Sequence, residues 1–194
     1  MSSVRQKVAL QFIVSNLALV ANFVLTIVLA RLLSPQDIGI FSMSAVLMAV
    51  AHVFRDFGVT SFIKREKELT PDSLSSALGV LLITSWSVAA LMFLSAPYWA
   101  HFFHEARVVP VVQVLALGFV FIPFGAIPMA IISREMDVKK SATIGAVATV
   151  VYFGASVGLA LAGFGPMTMA WANLINSLLY TSPSPRDGLL PLIP

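Results

Sequence analysis

The chain has 194 residues, 58% of them hydrophobic and 11% charged, with a mean hydropathy of +0.92. Soluble globular domains carry about 25% charged residues, so this composition fits a chain whose surface meets lipid. Cysteine is absent, which excludes disulfide frameworks, thiolate metal sites and cysteine nucleophiles; the net charge of +3 is small and one-sided, which speaks for membrane topology and against nucleic-acid binding.

The N-terminus is basic at Arg5 and Lys7 and then runs from Val8 to Ala30 without an Asp, Glu, Lys or Arg. A signal peptide has an apolar core of about 7–15 residues and a small-residue cleavage site. This run is longer, has no clear Ala-x-Ala site and ends at Arg31. It therefore predicts a retained first helix over residues 8–30, since a span needs about 20 mainly apolar residues. In "SPQD", Ser34 serves as N-cap, Pro35 as the first helical residue, and Asp37 stands where a capping box normally has Glu or Gln. The second span follows over 35–58. Thr70, Pro71 and Asp72 repeat the device before a third span over 74–94, which Pro97 is expected to close. Tyr98 and Trp99 then suit the headgroup level.

Residues 108–133 read as a fourth span, interrupted by Pro123 and Pro128, and residues 141–162 as a fifth. "GFGP" predicts a tight turn, and Pro166 opens a sixth helix over 166–177. Two Ser-Pro steps and Arg186-Asp187 would end any helix beyond it. The string "LLYTSPSPRD" also resembles a translated sequencing adaptor, so native sequence is expected to stop near Ser177. The expected fold is all-α: a polytopic transmembrane helix bundle of five complete spans plus a truncated sixth. Residues 1–177 form a transmembrane lobe and 178–194 a non-native or disordered tail.

Alternating these spans from a cytoplasmic N-terminus puts Arg5, Lys7, Arg55, Lys64, Arg65, Lys67, Arg134, Lys139 and Lys140 inside, and only Arg31 and Arg107 outside. Basic residues collect on the cytoplasmic side of membrane proteins, so the N-terminus is assigned to the cytoplasm of a multi-pass protein of the cell membrane.

No enzyme constellation stands out: there is no G-x-S-x-G, no H-E-x-x-H and no glycine-rich phosphate loop. No catalytic residue, cofactor or metal is expected. His101, His104 and Glu105 fit a polar, aromatic outer loop better than a metal cluster. Polar residues inside the spans are more telling. Gln11, Asn16 and Asn22 lie in the first helix, and Asn173 and Asn176 in the sixth. A carboxamide in hydrocarbon must find a partner, so these residues should face other helices or a wet cavity. Pro123 and Pro128 predict a kink, and Gly154 with Gly158 forms a G-x-x-x-G that permits close helix approach.

Arg55 and Asp56 follow 17 residues free of Asp, Glu, Lys and Arg. Residues 35–54 rise about 30 Å, a full hydrocarbon core, so the pair reads as a span end bordering the mouth of a cavity. His52 stands three residues before Arg55, on the same side of the helix.

Four phrases in order, "ARLLSPQDIGIF", "FRDFGVTSFIKRE", "IPMAIISREMDVKK" and "LALAGFGPMTMAWANL", resemble the N-terminal half of polysaccharide-biosynthesis flippases. These belong to the multidrug/oligosaccharidyl-lipid/polysaccharide exporter superfamily. The resemblance covers about residues 5–177. It implies the first lobe of a two-lobe secondary transporter whose second lobe is missing here. It also implies a substrate of undecaprenyl-pyrophosphate-linked oligosaccharide, drawn from the surrounding lipid, and coupling to H+ or Na+. Arg binds phosphate bidentately, which makes Arg55 a candidate substrate contact. Asn16, Asn22, Asp56 and Arg134 complete the candidate set, with Lys139 and Lys140 holding the cytoplasmic mouth positive. A drug/cation antiporter of the same superfamily would need acidic residues inside its spans. A membrane-embedded polysaccharide polymerase or glycosyltransferase would need large polar loops. Both fit less well.

Overall fold

The computed structural model describes residues 4–56, 71–134 and 138–181. They fold as six helices: α1 (Val4–Leu32), α2 (Pro35–Asp56), α3 (Pro71–Phe103), α4 (Val108–Arg134), α5 (Val138–Leu161) and α6 (Met167–Thr181). No strand occurs among the described residues. The protein is an all-α polytopic bundle, and five of its helices are long and apolar enough to cross a membrane. The sixth, α6, has 15 residues and rises about 22 Å, short of a hydrocarbon core. It runs four residues past Ser177. Gly58, Lys64, Arg65, Lys67, Thr70 and the tail from residue 182 onward lie outside the described residues.

Three tight turns join the helices at one end, and each is closed by a local device. At the start of α2, the Asp37 N–H donates to Ser34 Oγ at 3.1 Å, and the Ser34 hydroxyl donates to Asp37 Oδ2 at 2.7 Å. The backbone N–H of Ser34 reaches the same oxygen at 3.4 Å. This is a reciprocal capping box with Asp in place of Glu. The α5–α6 turn is a Schellman end: Phe164 N–H donates to Leu159 O, Gly163 N–H to Ala160 O, and Gly163 takes φ 80°. The end of α3 has the same pattern, Glu105 N–H to Ala100 O and His104 N–H to His101 O. There the left-handed position is filled by His104 at φ 53°, which strains a side chain where Gly would not be strained.

Pro97 does not end α3: the helix continues through it to Phe103. Proline removes one backbone hydrogen bond. Ala96 and Ala100, on either side of it, are packed into the core at 0% and 8% exposure, and that packing holds the turn that follows. Pro123 is likewise enclosed in α4, whose helix runs unbroken past it and past Pro128.

The core is built around α4. Just over half of its span, 56%, is buried, against 11% for α1 and 17% for α2. Val108, Val111, Val112, Leu115 and Phe119 are fully enclosed, and α4 touches α2, α3, α5 and α6. Gly118 brings α4 close to α6: a Cβ there would stand 3.6 Å from Ser177 Oγ. The bundle's peripheral helix is α1, which packs on α5 through Leu25 and Leu29 against Tyr152, Phe153, Val157 and Ala160. The rest of α1 presents Phe12, Ile13, Leu17, Leu19 and Phe23 outward. In water such a surface would aggregate; in a bilayer it meets lipid or further protein. The expected close approach at Gly154 and Gly158 is not found among the described residues. Nothing lies within 4 Å of where a Cβ would sit on either glycine, and both face outward from α5.

Candidate functional site

The best-defined polar cluster lies at the turn end of the bundle. Arg107, in the α3–α4 loop, grips Glu105 with two donors: Nε to Oε1 at 3.1 Å and Nη2 to Oε2 at 3.4 Å. Its remaining arm, Nη1, reaches Asp37 Oδ1 at 3.4 Å. Asp37 thus divides its oxygens, one to the α2 cap and one to Arg107. Its carboxylate also lies beside Gly165 of the α5–α6 turn, at 3.5 Å from a Cβ placed there. One residue therefore meets all three turns. The hydrogen bond from Arg107 holds the Glu105 carboxyl below its usual range, and the same contact raises the Arg107 guanidinium. His101 and His104 stand beside this cluster with ring centroids 6.2 Å apart, both exposed. Glu105 turns to Arg107 and not to them. Among the described residues no three His, Asp or Glu side chains converge to hold a metal.

The opposite end carries the basic residues of the helix termini. Arg55 and Asp56 are the last two residues of α2, and Arg134 is the last of α4. Their side chains lie outside the described set. The backbone nevertheless separates their levels. The His52 ring packs on Phe119 with centroids 4.8 Å apart, so those two residues share a depth. From there α4 continues 15 residues to Arg134, about 22 Å. On α2, Arg55 follows only three residues after His52, about 4.5 Å. The charged end of α2 is therefore set back into the bundle relative to that of α4. Along the helix, Asp56 stands about 100° round from Arg55.

Asn16 and Asn22 are both exposed on α1. Each donates one amide N–H to the carbonyl four residues earlier, Phe12 and Ala18, at 2.8 Å. That bond uses one of two donors and neither oxygen lone pair. The two residues stand a third of a turn apart. Asn22 lines up with Ser15 and Thr26 along the edge of α1 next to its α5-packed face. Asn16 and Asn22 are exposed on a peripheral helix, while the backbones of Arg55 and Arg134 stand at two levels of the opposite end of the bundle.

Two features were not legible in the sequence. The Asp37–Arg107 bridge joins residues 70 apart, and only the cap half of Asp37's role has a local signature. Buried hydroxyls on two helices, Ser85 and Thr168, are fully enclosed without a hydrogen-bond partner. Single serines and threonines in an apolar helix give no sign of which way they turn.

The family described as polysaccharide biosynthesis protein matches residues 28–183. The chain is 28% identical over 156 residues to the lipopolysaccharide biosynthesis protein WzxC of Escherichia coli (strain K12), a match covering 79% of this chain and 31% of that protein. It is 26% identical over 130 residues to an uncharacterized membrane protein in the cps region of Klebsiella pneumoniae, covering 61% of this chain and 24% of that protein. The chain thus spans less than a third of the length of these relatives. No solved structure matches it. With most of its length, including every turn of the polar cluster, inside the matched region, this multi-pass membrane chain belongs to the polysaccharide biosynthesis protein family.

Proposed function

We propose that the chain is the first lobe of a transporter that flips undecaprenyl-pyrophosphate-linked oligosaccharide across the cytoplasmic membrane, with its N-terminus in the cytoplasm. The observation that carries this reading is the exposed polar edge of α1. Asn22 stands there with Ser15 and Thr26, and Asn16 a third of a turn round from Asn22, all exposed on a helix of spanning length. Carboxamides are unfavourable against lipid tails, so this face is suited to a wet cavity shared with a second lobe. A glycan crossing the membrane needs such a surface. Family membership and the relatives' names, which mention lipopolysaccharide biosynthesis and a cps region, support the same class of cargo.

In this reading Arg55 contacts the pyrophosphate, Asp56 orients it or caps a neighbouring helix, and Arg134 with Lys139 and Lys140 draws the anionic head to the mouth. The set-back of Arg55 relative to Arg134 suits successive contacts along an entry path. Asn16 and Asn22 follow as sugar contacts. Residues 1–177 constitute the transport lobe, and residues 178–194 take no part in it. The protein carries out transport and no bond-making chemistry.

The test is complementation by the full-length protein in a strain lacking its own exporter. Arg55→Ala should abolish surface polysaccharide and accumulate lipid-linked oligosaccharide in the inner leaflet, while membrane insertion stays normal. Wild-type surface polysaccharide in that variant would reduce Arg55 to a topology marker. Failure of the unmodified protein to restore export in any polysaccharide background would remove the flippase reading.

A further inference from the structure

Between Asp37 and Arg55, α2 carries one side chain that titrates near neutral pH, His52. Helices α3, α4 and α6 pack on α2. Residues 73–100, 108–133 and 167–181 contain no Asp, Glu, Lys, Arg or His; Tyr98 and Tyr180 are the only titratable groups there. Among the described residues, the charged positions closest to His52 along α2 are Arg55 and Asp56, one turn beyond. Asp72 at the start of α3 and Arg134 at the end of α4 stand at the helix termini. His52 is half-buried, beside Ala51 at 7% exposure, with its ring tilted 42° against fully enclosed Phe119. Phe119 belongs to the middle of α4, 11 residues after Val108 and 15 before Arg134. The packing partner thus puts His52 well inside the bundle, deeper than its place near the end of α2 would imply.

We infer that His52 is a proton-binding site of this lobe, and that its protonation sets how α2 packs on α4. The chemistry follows from the surroundings. A neutral imidazole stacks on Phe119 as one more ring in an apolar contact. An imidazolium is drawn to the face of the phenyl ring and at the same time requires water or a counter-charge. The two charge states therefore favour different seatings of the ring. Because α2 is held at its other end by the Asp37 cap and the Arg107 bridge, a change at His52 moves the inner end of α2, where Arg55 stands. Histidine is the side chain that changes charge between about pH 5 and 8, and an ionisable group within a span is a functional candidate by default. A proton at His52 adds positive charge three residues from Arg55, so protons and an anionic head group would bind cooperatively, each favouring the other. The link to transport rests on the flippase reading; the proton site does not.

The test uses the full-length protein in liposomes with 15N-labelled histidine, the His52 signals being assigned by their loss in His52→Gln. The ring should titrate with one midpoint between pH 5 and 8, and Phe119→Leu, which keeps apolar bulk but removes the aromatic face, should move that midpoint by about half a pH unit or more. An unchanging His52 signal from pH 5 to 8 overturns the proposal, and so does a midpoint indifferent to Phe119→Leu. In export assays, His52→Gln should flatten the pH dependence of glycan export; a wild-type pH profile overturns the coupling. If no variant and no wild type exports glycan, the flippase reading fails and the titration alone decides the proton site.

Discussion

Arg107 Nη1 lies 3.4 Å from Asp37 Oδ1, and through that contact the loop between α3 and α4 is tied to the first turn of α2. The same aspartate caps α2 through Ser34 and lies against Gly165. The turn end of the bundle is therefore one fastened unit. Arg107→Gln removes the guanidinium and its charge while keeping a polar side chain. It should raise amide hydrogen exchange at residues 34–38 and 163–167 together, with helix content by circular dichroism unchanged. Faster exchange confined to the α3–α4 loop would show that the bridge fastens nothing beyond it.

Acidification should loosen this end. Arg107 holds the Glu105 carboxyl below its usual range in the folded protein. A depressed carboxyl stabilises the fold above its unfolded value, and that contribution is lost as pH falls through the lowered folded value. Arg107 itself, raised by the same partner, stays charged throughout. Melting temperature in detergent should therefore decline on the acid side of the ordinary carboxylate range, and Glu105→Gln should make that decline shallower. An identical acid limb in the variant would assign it to other carboxyls.

Ser34→Ala removes the hydroxyl that serves the Asp37 N–H and should destabilise the protein by about 1 kcal/mol, the usual cost of losing an N-cap. Chemical or thermal unfolding in detergent reads this directly. The same change at exposed Ser87, away from any helix start, should be close to neutral.

His104 and Gly163 occupy equivalent left-handed positions at the ends of α3 and α5. Gly163→Ala forces a Cβ into that conformation and should cost about 1 kcal/mol, whereas His104→Gly relieves it and should be neutral or stabilising by up to about 1 kcal/mol. A loss of stability for Gly163→Ala with no loss for His104→Gly in one unfolding assay is the expected result.

Phe119 is enclosed at the centre of α4, while Leu117, two residues away, is 41% exposed. Phe119→Ala should destabilise by about 3 kcal/mol through the cavity it leaves. Leu117→Ala, on the outward face, should change stability by less than about 0.5 kcal/mol.

The sequence by itself determined the fold class and the punctuation of the helices. Apolar runs of spanning length, the Ser34–Asp37 cap and the "GFGP" turn are written in consecutive residues, and local chemistry of this kind needs no distant partner. Pro97 was the exception, because its effect on α3 depends on how Ala96 and Ala100 pack against other helices. Tertiary structure alone decided which faces meet. A spanning helix is apolar on every side, and lipid tails are as apolar as leucine, so no hydrophobic stripe marks the buried face. That is why G-x-x-x-G at Gly154 and Gly158 turned out to face outward, and why the polar edge of α1 could be named from its residues but not oriented. The depth of His52 and the set-back of Arg55 were hidden for a related reason. Counting residues along α2 measures distance from its own start, but only the contact of His52 with Phe119 fixes α2 against α4.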